Sequence, residues 1–441
     1  MQRYIRFLLF SIAVMPLFNF SWAAERAENK KALSLEVNAD CPDYRYHVGD
    51  TAVLRVEIMN SGKSTGGSVL RYRFSDDYVR TLEEGELKPG PGTIKFKNSL
   101  DRPGFLRLDL SLIAGKDTLK KAFNCLYDPE AIRPTNILPP DYQRFWGQSK
   151  AELMRIPVDP RLEETAQDEV PGAKRYKVSL SSIEGSRIYG WLTVPQGTGP
   201  FPAVVYLPGA PGGIREYSTY PWPEYTREGM IVLALNIHGI ELGKSEEFYK
   251  ELDARGMPGD FPFQGCDDPY RYFYRRVALG GMRALDYLAG RADVDTSRLA
   301  VAGASQGGGL SLIVAMLDRR IKALTVNVPA MCDYTGVLYG RPTGWPHLLD
   351  HGNRERVLRT AAYFDAALAS GFIEVPALFA LSLADITCPP TAVYAAYNSL
   401  KGPKQIDLHQ GVNHQGSFEK DRDERLVKWL AETLKGRQIP Y

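Results

Sequence analysis

A serine enclosed by glycines, with an apolar run on either side, is the feature that most restricts the fold of this chain. The segment Gly303-Ala304-Ser305-Gln306-Gly307 follows the apolar residues 299–302 and precedes a longer apolar stretch over 310–317. The glycines predict a sharp turn from a strand into a helix, because side chains at their positions would collide with neighbouring backbone. A serine in such a turn presents its hydroxyl at a helix N-terminus, where backbone dipoles favour developing negative charge. We therefore interpret Ser305 as a nucleophile, with a glycine-rich structural turn as the alternative.

A nucleophilic serine in this kind of turn is followed along the chain by an acid and then by a histidine. Asp385 stands just beyond the apolar run 376–383, which predicts a buried strand. Two histidines come after it, His409 at the end of a short predicted strand and His414 in the glycine-flanked loop 411–416. An imidazole in a loop reaches a neighbouring strand end more easily than one within a strand. The sequence therefore favours His414 over His409 as the base, with Asp385 as the carboxylate that orients it.

The same hypothesis requires backbone donors for the oxyanion of a tetrahedral intermediate. One donor is predicted to be the amide of Gln306, directly after the nucleophile. The other should come from the loop 208–213, which follows the predicted strand 202–207. Because both prolines of this loop lack an N–H, we assign the second donor to the amide of Ala210. An ordinary strand-to-helix turn is the alternative for this glycine- and proline-rich loop.

The C-terminal two thirds of the chain alternate apolar strands with helical stretches. The runs 231–237 and 322–328 are nearly all apolar, as in parallel strands that are covered on both faces, and 268–289 has a helical pattern. This alternation predicts a doubly wound, mostly parallel sheet of the α/β hydrolase class, whose ligands bind at the carboxyl ends of the strands. All three triad candidates fall at such ends.

The N-terminal third follows a different pattern. Its short strands alternate apolar and polar residues and are separated by turn signals, which predicts a small all-β immunoglobulin-like sandwich. The predicted strands lie at 53–58, 69–74, 93–96 and 105–110. We place this sandwich at 24–132 and the α/β hydrolase domain at 133–441. The sandwich is expected to position or stabilise the second domain without taking part in the chemistry, because every triad candidate lies beyond Pro140.

The first 23 residues resemble a secretory signal peptide. Arg3 and Arg6 precede the apolar stretch 7–15, and Ser21-Trp22-Ala23 offers a cleavage site. The stretch is too short to span a bilayer, and Pro16 interrupts it. We therefore expect export to the periplasm or the exterior, with no membrane span in the mature chain.

Charge and cysteine content narrow the possible partners. Cleavage would remove two arginines from 54 basic residues and none of the 52 acidic ones, so the mature chain has no excess charge with which to attract nucleic acid. Cys41 and Cys125 lie near the two ends of the predicted sandwich, where a disulfide and two buried thiols are both plausible. The spacing of the other three cysteines matches no zinc pattern, and we predict neither a metal nor a cofactor.

Several motifs resemble those of the acetyl xylan esterase and cephalosporin C deacetylase family, carbohydrate esterase family seven. The matching segments are Asp295-Thr296-Ser297-Arg298, Gly303-Ala304-Ser305-Gln306-Gly307-Gly308, Asp385-Ile386-Thr387-Cys388-Pro389-Pro390 and 391–398. The resemblance extends from Pro139 to the C-terminus. It implies a serine esterase that removes acetyl groups from sugars and similar alcohols. It also implies that Ser305, Asp385 and His414 are nucleophile, acid and base, and that the amides of Gln306 and Ala210 bind the oxyanion.

Three positions depart from the family pattern. His238-Gly239-Ile240 stands where the family usually has Arg-Gly-Gln, Gln415 replaces a glutamate, and Ala210 replaces a tyrosine. His238 and the aromatic Trp345 are candidate substrate contacts, with packing roles as the alternative. The departures leave acyl preference open, so a general carboxylesterase is an alternative function. A non-catalytic glycan-binding protein with a degenerate hydrolase domain is another.

Overall fold

A computed structural model describes residues 33–59, 68–90, 92–165, 170–210, 222–257 and 259–437. The predicted signal peptide lies outside these ranges. Among the helices found within them, none combines the length and apolar character that crossing a bilayer requires.

The N-terminal region consists of two sheets around one core. Its strands are β1 (Ser34–Ala39), β2 (Arg45–Tyr46), β3 (Ala52–Met59), β4 (Val69–Asp76), β5 (Arg80–Leu87), β6 (Ile94–Asn98), β7 (Gly104–Ala114) and β8 (Asp117–Tyr127). One sheet has the order β1-β3-β6 and the other β2-β8-β7-β4-β5. Alternate residues of β3, such as Leu54 and Val56, turn inward to meet Phe74 and Leu108 of the facing sheet. The four predicted strands are present as β3, β4, β6 and β7; the immunoglobulin-like assignment stays a prediction.

The C-terminal region is built on one large sheet. Its strands are β9 (Arg161–Thr165), β10 (Lys174–Ser181), β11 (Arg187–Val194), β12 (Phe201–Leu207), β13 (Ile231–Asn236), β14 (Val294–Ala304), β15 (Ile321–Asn327), β16 (Ala377–Ser382) and β17 (Lys404–His409). Across the described residues the order is β17-β16-β15-β14-β12-β13-β11-β10-β9. Neighbours from β17 to β13 run parallel, whereas β9, β10 and β11 add an antiparallel edge.

Helices cover both faces of this sheet. They are α1 (Tyr142–Met154), α2 (Trp222–Arg227), α3 (Glu246–Ala254), α4 (Phe273–Ala289), α5 (Gln306–Leu317), α6 (Arg354–Phe364), α7 (Ala366–Ser370), α8 (Pro390–Ser399) and α9 (Lys420–Leu434). Alternate residues of β12 enter two separate cores: Val205 packs with α4 and α5, whereas Val204 packs with α2 and α9. The doubly wound prediction is confirmed by this two-sided burial.

One helix begins later than its pattern predicts. The helical interpretation of 268–289 is wrong for the first five residues, and α4 starts at Phe273. The preceding residues form turns, in which the amide of Arg271 donates to the carbonyl of Asp268 at 3.0 Å. Tyr272 is extended, with φ −65° and ψ 131°, and the Phe273 amide donates to the carbonyl of Gln264 at 2.9 Å, so the chain enters the helix only at Phe273.

The two regions share buried surface at α8. Phe105 of β7 is fully buried and its ring lies 5.4 Å from that of Tyr394 in α8. Ile132, in the connection between the regions, belongs to the same core. All five cysteines are free thiols, so Cys41 and Cys125 form no disulfide; Cys125 is a buried thiol, as the second alternative has it, whereas Cys41 is only half-buried.

This shared core predicts a destabilising substitution. We expect Phe105→Ala to lower the free energy of unfolding by about 3–5 kcal/mol, because it leaves a cavity between the two regions. The measurement is the urea midpoint together with Tm. Met154→Ala is the matched control, since the Met154 side chain is 78% exposed and its loss should change stability by less than about 0.5 kcal/mol. Equal midpoints for the two variants would contradict a shared core.

Candidate active site

Ser305 occupies a strained turn between β14 and α5. Its backbone has φ 54° and ψ −121°, a conformation that costs a non-glycine residue free energy and persists only where the surroundings enforce it. Those surroundings are two hydrogen bonds: the Ser305 amide donates to the Asn327 carbonyl at 2.8 Å, and the Ser305 carbonyl accepts from the Ala330 amide at 2.9 Å. A Cβ at Gly307 would lie 1.9 Å from the carbonyl oxygen of Leu207, so only glycine fits there. The predicted glycine-bounded turn is present.

The structure brings the three predicted triad residues together. The Ser305 Oγ lies 3.0 Å from His414 Nε2, and His414 Nδ1 lies 2.7 Å from Asp385 Oδ2. Asp385 is fully buried, and its other oxygen accepts from the amides of Thr387 at 2.8 Å and Cys388 at 2.9 Å. Each carboxylate oxygen therefore has a partner, as a buried charge requires.

This network assigns the histidine tautomer. A carboxylate can only accept, so the Nδ1 of His414 carries the proton that it donates to Asp385. The neutral ring then has a free electron pair on Nε2, which faces the Ser305 hydroxyl. An imidazole in this tautomer can take the serine proton and return it to a leaving group.

The alternative base lies elsewhere. His409 is at the end of β17, and its Nε2 is 2.8 Å from Asp407 Oδ2 and 3.2 Å from Arg425 Nη2. The structure therefore places His414, and not His409, beside Ser305.

Hydrogen bonds from neighbouring elements of the sheet hold the loop that carries His414. The carbonyl of Ser417 accepts from Asn327 Nδ2 at 2.9 Å, and the Ser417 and Ser382 hydroxyls lie 2.6 Å apart. Arg422, only 1% exposed, donates to the Ser382 hydroxyl at 3.0 Å. No sequence pattern indicates these anchors, since a serine or arginine in a helical or loop segment carries no local signal for burial.

The loop after β12 passes beside the nucleophile. A Cβ built on Gly209 would lie 3.6 Å from that of Ser305, and Ala210 follows at an exposed position. Gln306 is the first residue of α5, with its amide at the helix N-terminus. Gln306 therefore lies next to Ser305 in the chain, and Ala210 comes directly after the residue that approaches Ser305; the role of both amides stays a prediction.

The Gln306 side chain ties this loop to the serine turn. Its Nε2 donates to the carbonyl of Pro208 at 3.4 Å, and its Oε1 accepts from the hydroxyl of Tyr274 at 2.6 Å. Tyr274 lies in α4 and is fully buried, which raises its pKa well above the usual range and keeps the hydroxyl a donor. The motif predicts a role only for the amide of Gln306, and no sequence pattern indicates the contact with Tyr274.

The two candidate substrate contacts meet through Phe261. His238 is 7% exposed, and its ring lies 4.5 Å from that of Phe261 and 5.9 Å from that of Phe273. Trp345 is half-buried, with its ring 6.2 Å from Phe261 and its amide donating to the carbonyl of Thr387 at 2.8 Å. His238 is thus part of an aromatic cluster, and Trp345 supports the loop that carries the acid.

The site also contains three potential metal ligands. Among the described residues, Asp385, Cys388 and His414 place one ligand atom each within 4.8 Å of one another. Burial and the nearby Asp385 carboxylate raise the pKa of the Cys388 thiol well above its ordinary value, which disfavours the thiolate that a metal would bind. The Asp385–His414 hydrogen bond already uses one atom of each of the other two. This chemistry suits a proton relay better than a metal centre.

The chain matches a known family over most of its length. The family model described as Acetyl xylan esterase (AXE1) matches residues 125–433. A curated relative, the acetyl esterase Axe7A of Xylanibacter ruminicola, is 29% identical over 403 residues, which cover 89% of each chain.

Two solved structures share the fold of the C-terminal region. The acetyl xylan esterase from Paenibacillus sp. R4 is 30% identical, with a TM-score of 0.59, and the match covers 68% of this chain and 97% of that one. Acetyl xylan esterase 1 from Thermoanaerobacterium sp. JW/SL YS485 is 24% identical, also with a TM-score of 0.59, over 69% of this chain and 97% of its own. Together with the mostly parallel sheet, these matches show an α/β hydrolase fold.

The geometry predicts which histidine is essential. We expect Ser305→Ala and His414→Ala each to lower kcat/KM for p-nitrophenyl acetate by about 10³- to 10⁶-fold, because the members of such a relay act together. His409→Ala is the control and should stay close to the parent chain. Unchanged Tm would show that the variants fold. A loss of activity in His409→Ala with activity retained in His414→Ala would show that the base is wrongly assigned.

Proposed function

Because the chain belongs to the acetyl xylan esterase family, we propose that it is a serine esterase that removes acetyl groups from carbohydrates. The observation that carries the proposal is the continuous hydrogen-bonded series from the Ser305 hydroxyl through His414 to the buried Asp385. These three groups stand where the family resemblance puts nucleophile, base and acid.

The reaction proceeds in two halves. The Ser305 Oγ attacks the acetyl carbonyl carbon as its proton passes to His414 Nε2. The tetrahedral intermediate then expels the sugar oxygen, which takes that proton and leaves as an alcohol. Water attacks the acetyl-enzyme with the same proton relay, which releases acetate and restores Ser305. Asp385 accepts the hydrogen bond from His414 Nδ1 throughout and stabilises the imidazolium.

Backbone N–H groups stabilise the negative charge on the oxygen of the tetrahedral intermediate. The amides of Gln306 and Ala210 are the proposed donors, and the N-terminus of α5 adds its dipole. The Gln306 side chain keeps the Pro208 carbonyl, two residues before Ala210, fixed relative to the serine turn. The oxyanion site is thereby preorganised rather than assembled around the substrate.

The substrate class follows from the relatives. Axe7A is an acetyl esterase and the two solved structures are acetyl xylan esterases by name. We infer an acetylated carbohydrate for this chain as well, with Trp345 as a candidate contact at the aromatic cluster. His238 is the second candidate from the sequence. Its burial among aromatic rings supports a packing role under this site.

The proposed function is accompanied by a division of the chain into domains and by its export from the cytoplasm. We infer a signal peptide over 1–23, an immunoglobulin-like sandwich over 24–132 and an esterase domain over 133–441. The facing sheets β1-β3-β6 and β2-β8-β7-β4-β5 support the second of these. Export to the periplasm or the exterior is supported by the basic and apolar N-terminal residues and suits a polymeric substrate.

The direct test is acetate release. We expect the purified protein to liberate acetate from acetylated xylan and from simple sugar acetates, and Ser305→Ala to liberate none above background. Acetylated pectin in parallel defines the carbohydrate preference. A folded protein that releases no acetate from any of these but hydrolyses longer esters would be a general carboxylesterase. One that binds glycans without hydrolysing any ester would be a binding protein.

Acyl size gives a second prediction. We propose that the aromatic cluster around Phe261 and Trp345 borders the acyl pocket. Since a long acyl chain would then be excluded, we expect kcat/KM to fall from p-nitrophenyl acetate to the butyrate and then the octanoate. This exclusion must outweigh about 0.8 kcal/mol gained per buried methylene. A profile that rises with chain length would indicate an open apolar groove and would move the assignment towards a general carboxylesterase.

A further inference from the structure

The hairpin between β4 and β5 points from the N-terminal sheets onto the loop that carries Asp385. Its tip is Asp76-Asp77-Tyr78-Val79, closed by a hydrogen bond from the Val79 amide to the Asp76 carbonyl at 3.1 Å. Asp77 and Tyr78 have φ values of 45° and 59°; aspartate adopts such values more readily than most residues, whereas tyrosine rarely does and is strained there. Such strain persists where surrounding contacts enforce it, and here those contacts come from the other region.

Asp77 caps a helix of the C-terminal region. Helix α8 starts at Pro390, and its N-cap residue Pro389 offers no side-chain acceptor for the first amides. The carboxylate of Asp77 accepts from the Thr391 amide at 3.2 Å and from the Thr391 hydroxyl. It is only 2% exposed. An acceptor that a helix ordinarily takes from its own preceding residue is thus supplied from 314 residues away.

Two more side chains hold the loop on either side of Asp385. The Tyr78 hydroxyl donates to the carbonyl of Ile386 at 3.2 Å, and Arg107 Nη1 donates to the carbonyl of Ala384 at 3.2 Å. The Arg107 guanidinium lies over the Tyr78 ring, 5.9 Å from its centroid. The residues immediately before and after the acid are therefore both fixed by the N-terminal sheets.

The orientation of the carboxylate depends on this stretch of backbone. Asp385 Oδ1 is held by the amides of Thr387 and Cys388, which lie between the Ile386 and Thr391 contacts. A shift of the loop would rotate Oδ2 away from His414, from which it is 2.7 Å distant. Displacements of about 1 Å in such an arrangement can cost about a hundredfold in rate.

We propose that the β4–β5 hairpin tip, with Asp77 as its main contact, positions the catalytic carboxylate of Asp385. The inference rests on the proposed esterase function. Asp77, Tyr78 and Arg107 are positioning residues in this role, since they act on the reaction only through the loop 384–391. The N-terminal sheets then contribute to turnover without contributing a catalytic group.

Asparagine is a conservative replacement for Asp77. Burial raises the pKa of its carboxyl to about 7, with the neighbouring Asp76 acting in the same direction and Arg107 against it. A neutral asparagine avoids the cost of burying charge and keeps an oxygen that can accept from both Thr391 groups. Asp77→Asn should therefore retain the contact, and Asp77→Ala should remove it.

A matched control is available across the same boundary. Asn398, near the C-terminal end of α8, donates through Nδ2 to the carbonyls of Pro129 at 2.8 Å and Ile132 at 2.9 Å. Asn398→Ala removes two hydrogen bonds between the regions, as Asp77→Ala does, but leaves the loop 384–391 untouched. The Asn398→Ala variant therefore shows what weakening the contact between the two regions does by itself.

The experiment measures kcat, KM and Tm of the full chain and these three variants with p-nitrophenyl acetate, well below the lowest Tm. We expect Asp77→Ala to lower kcat by about ten- to a hundredfold with KM changed less than about twofold, because substrate still binds but the base is poorly oriented. Asp77→Asn should restore most of kcat. Asn398→Ala should lower Tm without lowering kcat.

Several outcomes would overturn the inference. They are a wild-type kcat in Asp77→Ala, a failure of Asp77→Asn to restore kcat, and an equal loss of kcat in Asn398→Ala. If Asp77→Ala does not fold, Tyr78→Phe removes only the hydroxyl that holds Ile386, and an unchanged kcat there would overturn it too. An inactive parent chain, by contrast, would refute the proposed esterase function itself.

Discussion

The hydrogen bond between the buried Asp385 carboxylate and His414 is the interaction on which the rest of the site depends. It joins two loops that follow neighbouring parallel strands, β16 and β17, and its direction fixes which ring nitrogen faces Ser305. Because parallel strands end at one edge of the sheet, a serine after β14, an acid after β16 and a histidine after β17 can converge there. The strand order is therefore a requirement of the chemistry.

Burying Asp385 has consequences for its surroundings. A fully buried carboxylate costs several kcal/mol unless its oxygens are paired. Two loop amides and the imidazole supply three donors, and they can do so only while the loop 384–391 keeps its shape. Trp345 holds that loop through the Thr387 carbonyl from within the hydrolase fold. The N-terminal sheets hold it from the opposite side of the boundary through Asp77, Tyr78 and Arg107.

Sequence patterns predicted what is local or periodic. The serine turn, the apolar parallel strands and the alternating strands β3, β4, β6 and β7 all have short-range signatures. The end of the antiparallel strand β10 alternates in the same way, whereas β11 has four consecutive buried residues and therefore carries no period of two. Contacts such as Asp77 with Thr391 or Tyr274 with Gln306 could not be predicted, because residues 314 and 32 positions apart leave no common pattern in one sequence. The late start of α4 shows a non-local hydrogen bond, from the Phe273 amide to the Gln264 carbonyl, overriding a helical period.

The position of each triad member in the sheet explains which of them needs outside support. Ser305 follows β14, a central strand whose residues near the turn are buried. The turn after this strand is fixed where Gly307 packs closely against the carbonyl of Leu207. His414 follows β17, the edge strand, in which every residue is only partly buried, whereas Asp385 follows the neighbouring strand β16, which is buried and paired on both sides. An edge has neighbours on one side only, so its loops lack the packing that fixes a central turn. The N-terminal sheets lie against this end, where Asn124 and Gln410 exchange hydrogen bonds of 3.0 and 2.8 Å and Asp77 caps α8. They thus brace the edge of the sheet that leads to His414 and, through α8, the loop that carries Asp385.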